Sequence, residues 1–323
     1  GTNGCPLAYT LGMDSRSNRK PRTSKGISRP ARAPRQRLQA DQALTDSGSG
    51  PQEWMDGDDT QLVASVIRAL RLLNAFRSGE SALGNAELAE RTQMTKPTVS
   101  RLAYTLARCG YLSFKPRFRV YGLGPSALAL GQVALTSLDV RQQAKPLMQE
   151  LARQADFNVG LGTREGDLMV YTDTYEGEAL VGLRLFAGSR IPIITSAMGR
   201  AYLSGINEDE REALLRRLRP RYGDEWAGLE RAVLQAVKEV ERFGFCVSAG
   251  DWRKDIHGVG APVRNSMSGT IYALNLGGPA YLLPSNLLYE ELGPRLAQMA
   301  QKVESALAPK ASPIPEERDA SSI

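Results

Sequence analysis

The residues best suited to chemistry lie between positions 96 and 119. At helical spacing, Lys96 to Arg108 places Val99, Leu102, Ala103 and Leu106 on one face. The opposite face carries Thr98, Arg101, Tyr104, Thr105 and Arg108, with Ser100 at its edge. Arginine forks onto the O6 and N7 acceptors of guanine, and hydroxyls reach bases or phosphates. The stretch YLSFKPRFRVYGLG follows, with Tyr111, Leu112, Phe114, Phe118, Val120 and Tyr121 flanking a Lys-Pro-Arg turn. It reads as two short strands, a wing, whose Lys115, Arg117 and Arg119 suit phosphates or a minor groove. The competing reading is a three-helix packing module with a solvated basic face. A second candidate is Ser196-Ala197-Met198-Gly199 at the start of a helix. Free backbone N–H groups there suit a carboxylate or another anion. The same four residues also read as a plain N-cap with small residues packed tightly.

Other chemistries find little support. Cys5, Cys109 and Cys246 are far apart and form no CxxC pair, against a disulfide framework or a Cys-rich zinc site. His257 is the single histidine, which excludes chemistry needing two and argues against a Ser-His-Asp triad. No metal and no cofactor are expected. Cys246 reads as a small buried hydrophobe, or as the nucleophile of a thiol redox enzyme. His257 and Arg253 either counter an anionic ligand or face solvent.

The elements that must position these groups can be placed along 323 residues, enough for two domains and tails. The first forty residues hold nine Lys or Arg and one acid, rich in Pro and Ser. Residues 1–59 therefore read as a disordered basic arm, either attracting phosphates or only solubilising, or as sequence upstream of a start at Met13. Neither a secretory signal nor a membrane span is apparent, and a cytoplasmic location is expected. QLVASVIRALRLLNAF places Val63, Val66, Ile67, Leu70, Leu73 and Ala75 or Phe76 near one face of a helix ended by Gly79. A second helix spans Asn85 to Arg91, capped by Asn85; the third is Lys96 to about Cys109, stopped by Gly110. These elements and the wing make a domain over 60–124. A linker helix follows over 125–140, within a helical stretch from Pro125 to about Gln154 that breaks near Asp139. Residues 141–308 read as an α+β domain. Its expected elements are a hairpin over Asn158–Tyr175, a third strand over Ala179–Leu185, and a strand leading through Thr195-Ser196 into a helix. Helices over Glu208 to about Arg217 and Glu225–Phe243 follow, then strands over Phe245–Ser248, Gly258–Val263 and Thr270–Leu276, and a last helix over Ser285–Leu307. Residues 309–323 read as a disordered tail.

Several short runs, taken in order, resemble the IclR family of bacterial regulators. They are Ser65-Val66-Ile67-Arg68-Ala69-Leu70, Glu87-Leu88-Ala89, Lys96-Pro97-Thr98-Val99-Ser100-Arg101-Leu102 and Cys109-Gly110-Tyr111-Leu112. In the second half they are Thr195-Ser196-Ala197-Met198-Gly199-Arg200-Ala201, Arg242-Phe243-Gly244-Phe245, Gly260-Ala261-Pro262-Val263 and Gly278-Pro279. The resemblance covers about Leu62 to Leu307. It implies a winged helix-turn-helix, a linker helix and a GAF-like effector domain, assembled as dimers or tetramers. It adds Ser65 and Arg68 to the DNA-contacting set. It implies a pocket for a small organic or aromatic acid, walled by Leu180, Leu183 and Ile191, cradled by Ser196, Ala197 and Met198, and completed by Ser248, Ile256, Gly258, Asn275 and Gly277. Ser248 stands where some members carry an acid, and Asn275 and Gly277 where some carry serines. The expected function is a transcription regulator, not an enzyme, whose binding to a pseudo-palindromic DNA operator is modulated by a small molecule. The alternatives are a GAF-like sensor module or the thiol enzyme.

Overall fold

The structure is a computed structural model, and it describes residues 62–77, 80–177 and 185–308. The arm, the tail, Gly79 and the segment expected to form a third strand fall wholly or mostly outside them.

The first body packs α1 (Ala64–Asn74), α2 (Asn85–Thr92) and α3 (Lys96–Arg108) against a small antiparallel sheet. That sheet has order β1-β3-β2, from β1 (Leu83–Gly84), β2 (Leu112–Lys115) and β3 (Val120–Leu123). The two-residue β1 was not expected; it pairs with Val120 and Tyr121. Leu72, Ala75, Phe76, Leu83, Leu88, Val99, Ala103 and Leu112 form the core, with Leu102 and Leu106 half-buried around it. Two expectations need correction. Along α1 and its flanks, Ile67, Leu72, Ala75 and Phe76 are buried, whereas Val63, Val66 and Leu70 are 58%, 53% and 40% exposed. The apolar residues of this helix thus serve two faces. At α2 the N-cap is Gly84, without a side-chain bond, and Asn85 is already helical. Its side chain is used elsewhere: Nδ2 donates to Ser100 Oγ at 2.7 Å.

Two helices follow, α4 (Pro125–Thr136) and α5 (Asp139–Ala155). No residue of α4 is buried, while α5 buries Val140, Ala144, Met148, Leu151 and Ala152.

The second body is built on a six-stranded antiparallel sheet of order β6-β5-β4-β9-β8-β7. Its strands are β4 (Asn158–Glu165), β5 (Leu168–Tyr175), β6 (Arg190–Pro192), β7 (Cys246–Ala249), β8 (Ile256–Arg264) and β9 (Ile271–Pro279). Successive side chains point to opposite faces, so each helical layer claims alternate residues. On one face, Val159, Leu161, Val259, Ala261, Leu274 and Leu276 pack with α5 and α10 (Gly293–Leu307). On the other, Met169, Tyr171, Ile191 and Ala273 pack with α6 (Ala197–Gly205), α7 (Glu208–Tyr222) and α8 (Trp226–Phe243). Helix α7 runs past the expected Arg217, with Pro220 inside its last turn. The expected last helix is three pieces: a single turn α9 (Ser285–Leu287), a π-turn over Leu288–Leu292, and α10.

Candidate functional site

The first candidate surface is the outer side of α3 and the wing. Lys96, Ser100, Arg101, Thr105 and Arg108 are exposed, and Tyr104 is 65% exposed. Thr98 is half-buried, its Oγ1 sharing a hydrogen bond of 2.9 Å with Thr95 Oγ1 at the helix start. Two hydroxyls are partly spent within the protein. Thr105 Oγ1 donates to the Arg101 carbonyl at 3.0 Å, and Ser100 Oγ accepts from Asn85. Ser65 and Arg68 are exposed on α1. On the wing, Lys115, Arg117 and Arg119 are all exposed. Arg119 sits at φ +54°, and Arg117 lies 5.6 Å from the ring centre of Phe118.

The decisive feature is which cations are left over. Arg91, in the last turn of α2, donates to Glu80 at 2.6 Å and to Glu87 at 2.6 Å. Its hydrogen bond holds the Glu80 carboxyl below the usual carboxylate range. Arg71 donates to the Thr92 carbonyl at 3.2 Å. By contrast, among the described residues Arg68, Lys96, Arg101, Arg108 and Lys115 make no side-chain hydrogen bond or ion pair. An array of unpaired cations around an exposed helix attracts a polyanion.

The second candidate is a cavity on the α6 face of the large sheet. Register explains its floor. One row across the strands is Ser248–Gly258–Gly277–Asn158, and the next is Cys246–Gly260–Asn275–Gly160–Thr174. Glycines in both rows leave bare backbone where side chains would otherwise fill the space. Gly260 is taken up by α6, because a Cβ there would strike the Ala197 carbonyl. Gly258 and Gly277 line the cavity, as does Gly160 beneath the Tyr171 ring and Asn275, together with Asn158, Thr174, Ser248 and Ile256. Ile191, Ser196, Ala197, Leu185 and Trp252 form walls. The cavity volume is about 60 Å³. A single water occupies roughly 10–15 Å³ of such a space, so several heavy atoms fit.

The register of β4 with β5 shifts between Leu161 and Gly162, leaving Thr172 as an extra residue on β5. Such a bulge resets alternation, so Tyr171 and Thr174 both turn to the cavity while Asp173 turns to the opposite face. There Asp173 is 2.9 Å from Arg141 of α5. Tyr171 is buried, and desolvation pushes its phenol well above its ordinary range, so it stays protonated.

Of the effector residues implied by the sequence, Ile191, Ser196, Ala197, Ser248, Ile256, Gly258, Asn275 and Gly277 line this cavity. Met198 does not; it is fully buried in the core beside Gly162. Leu180 and Leu183 lie outside the described residues. Ser196 Oγ accepts from Gly199 N at 3.1 Å and donates to the Pro192 carbonyl at 2.6 Å, so its side chain is occupied as a helix cap. Ser248 Oγ donates to the Thr195 carbonyl at 2.8 Å. His257 borders the cavity, its Nδ1–H donating to the Leu283 carbonyl at 2.9 Å. Arg253 is exposed, pairs with Asp255 at 3.0 Å and takes no part in the lining. Tyr171, Thr174, Asn158 and Trp252 were missed. Only a signal for the bulge would have found the first two together.

Cys246 is fully buried, 3.7 Å from the Ala197 carbonyl, and desolvation pushes its thiol up to about 12. That is the opposite of an activated thiolate. Among the described residues no group of His, Cys, Asp and Glu could hold a metal ion, and no helix is long and apolar enough to cross a membrane.

Known proteins resemble both halves. The IclR helix-turn-helix domain matches residues 65–116, and the C-terminal domain of the bacterial transcriptional regulator IclR matches residues 132–305. The regulator TsaQ1/TsaQ2 of Comamonas testosteroni is 33% identical over 250 residues, spanning 77% of this chain and 90% of that one. A crystal structure of an IclR family regulator from Brucella abortus aligns with a TM-score of 0.68 at 36% identity, covering 82% of this chain and 98% of that one. At 21% identity and a TM-score of 0.60, the fold is shared with an IclR homolog from Microbacterium hydrocarbonoxydans solved with 4-hydroxybenzoate, over 76% and 99% of the two chains. With both domains matched in order and the DNA-facing and cavity-bearing elements in place, this chain belongs to the IclR family of bacterial transcriptional regulators.

Proposed function

We propose that α3 enters the major groove of an operator, with Arg101 and Tyr104 reading base edges. Lys96, Thr98, Ser100, Thr105 and Arg108 hold neighbouring bases or phosphates. Ser65, Arg68 and the wing residues Lys115, Arg117 and Arg119 anchor to the backbone or the minor groove. The observation that carries this is the set of exposed cations on α1, α3 and β2 that are unpaired among the described residues, beside Arg71 and Arg91, whose guanidinium groups are engaged within the body.

The cavity on the α6 face receives the effector, a small organic acid. The glycine floor and the N-terminal N–H groups of α6 support that reading. The Microbacterium homolog with bound 4-hydroxybenzoate is a fold-level parallel. The protein works as a homodimer or a pair of dimers in the cytoplasm. Support comes from the apolar stripe Val63, Val66 and Leu70 on α1, and from Leu128, Leu130 and Val133 on α4, 68%, 61% and 67% exposed. Apolar residues repeated along two helices and left exposed among the described residues fit a second copy, whose two-fold symmetry a pseudo-palindromic operator would mirror. The domain limits follow: a DNA-binding body to about residue 124, a linker over 125–140 and an effector domain to 308. Catalysis is not part of the reading, given the protonated Cys246.

The test is binding of the purified protein to the promoter DNA beside its own gene, as a salt series, with and without a panel of organic acids. Saturable, sequence-selective binding that one acid shifts supports the reading. Binding that is only non-specific and vanishes at modest salt removes it.

A further inference from the structure

The tip of the wing carries an exposed aromatic ring among cations. Exposure rises along the hairpin. Leu112 at its base is buried, Phe114 and its cross-strand neighbour Tyr121 form a rung with ring centres 4.9 Å apart, and Phe118 at the tip is 66% exposed. The tip is held in one shape. Lys115 pairs with Val120, which leaves Pro116 to Arg119 as the turn. Proline fixes its own φ. Phe118 N–H donates to the Lys115 carbonyl at 3.2 Å, and Arg119 N–H to the Pro116 carbonyl at 3.3 Å. Arg119 closes the turn at φ +54°, in the left-handed region that residues other than glycine seldom enter. Lys115, Arg117 and Arg119 flank the ring, with the Arg117 guanidinium 5.6 Å from its centre. None of the three makes a side-chain hydrogen bond or ion pair among the described residues, and Lys115–Val120 contains no acid.

A single exposed apolar residue is ordinary. A ring on a rigid tip between three unpaired cations calls for a partner that is anionic and offers an apolar slot. A second wing would set three cations against three. Duplex DNA supplies both features: phosphates border the minor groove, and a base step opened from that side accepts an apolar wedge. The wing follows α3 directly through Cys109–Tyr111, so with α3 in the major groove the tip falls at the flanking minor groove. Resting on that placement of α3, we infer that Phe118 inserts between two base pairs from the minor groove while Lys115, Arg117 and Arg119 hold the phosphates beside it. The ring has no donor or acceptor, so it reads no base edge. It reads how easily a step unstacks, which favours the pyrimidine–purine steps TpA and CpA, and the duplex is kinked there by about 20–90°.

Footprinting of the full chain on the promoter DNA beside its own gene locates the protected site, and 2-aminopurine then replaces adenine at each TpA or CpA step flanking it. The native protein should raise 2-aminopurine fluorescence at one such step per half-site, and energy transfer between labelled duplex ends should report the kink. Phe118→Ala should abolish both signals. It should weaken operator binding about fivefold or more, the low end of base–aromatic stacking because the step must first be unstacked. The salt slope should stay unchanged, since no cation is lost. Phe118→Leu, still an apolar wedge, should keep the kink. Sequence-selective binding with no fluorescence rise at any flanking step, or a rise that survives Phe118→Ala, overturns the inference and leaves the reading of α3 standing. The inference also falls if Phe118→Ala alters sedimentation or binding to anionic vesicles but not the operator complex, which would assign the ring to a second copy or a lipid surface. Absence of any sequence-selective binding removes the reading of α3 and the inference with it.

Discussion

Arg101→Ala is the perturbation that most directly tests the DNA-facing surface. The side chain is exposed on α3, with no hydrogen bond or ion pair among the described residues, so its loss leaves no orphaned partner inside the protein. The fold should be unaffected, because the α3 core contacts are made by Val99 and Ala103 on the other face. A base-reading arginine contributes about 1–3 kcal/mol per contact. Two copies on a two-fold operator double this, to about 2–6 kcal/mol, or roughly 30-fold to more than 10⁴-fold in affinity. Fluorescence anisotropy on the operator and on a scrambled duplex, across a salt series, separates the roles. A base contact lowers operator affinity and leaves the scrambled duplex and the salt slope nearly unchanged. A phosphate contact weakens both duplexes alike and lowers the slope by about one per copy. Equal loss on both duplexes refutes Arg101 as a reader of bases, and unchanged binding on both refutes the assignment of the α3 face.

Three further outcomes follow from the same geometry. Leu70→Glu, placed in the exposed stripe of α1, should weaken self-association by about 3 kcal/mol or more per pair of copies; sedimentation velocity showing an unchanged distribution would remove this stripe from the interface. Cys246 should resist alkylation at pH 8 in the native protein while exposed Cys109 reacts, since burial raises the Cys246 thiol from 9.0 to about 12. The folded pKa is raised, so this contribution to stability is intact below pH 9 and is lost as pH climbs toward 12; rapid native labelling of Cys246 would contradict it. Arg141→Met should leave operator affinity and ligand affinity, each measured alone, close to normal, and shrink the factor by which the ligand changes operator binding. Couplings of this kind are typically about 5–150-fold, and an undiminished factor would show that the Arg141–Asp173 contact carries none of it.

The fold was legible where one physical signal dominated. Helix α3 was placed at Lys96–Arg108 because its apolar period, Thr95 and Pro97 at its start and the Gly110 stop all agree. The hairpin expected over Asn158–Tyr175 is β4 and β5. Legibility failed where two signals competed. Val63, Val66 and Leu70 share the apolar character of Ile67 and Leu72, and composition does not say which stripe serves the core of the chain itself. Asn85 has the chemistry of a cap but is used to hold Ser100. In the cavity, eight of the implied residues lie together because family motifs mark them, yet Tyr171 and Thr174 escaped. A regular strand would turn Tyr171 and Asp173 to one side, and no local sequence signal shows that Thr172 bulges.

That bulge also bears on how a bound molecule would be felt at the DNA. Effector control requires that the ligand favour one of two arrangements by differential contact; tight binding alone shifts nothing. The cavity and the helix leading back toward the DNA-binding body lie on opposite faces of one sheet, so the strands between them are the physical link. At β5 the link is a single residue long. Thr174 faces the cavity, and its neighbour Asp173 faces α5, held by Arg141 at 2.9 Å and by the Tyr175 hydroxyl at 3.1 Å. At β4 and β9 the same alternation puts Gly160 and Asn275 on the cavity side, with Leu161, Leu274 and Leu276 packed in the core shared with Met148 of α5. A close-packed core passes on small displacements rather than absorbing them. Glycines across the cavity floor allow a ligand to press on backbone directly. A shift of β5 at Thr174 would therefore be felt at Asp173 and, through it, at Arg141 of α5, which is the coupling the Arg141→Met variant measures.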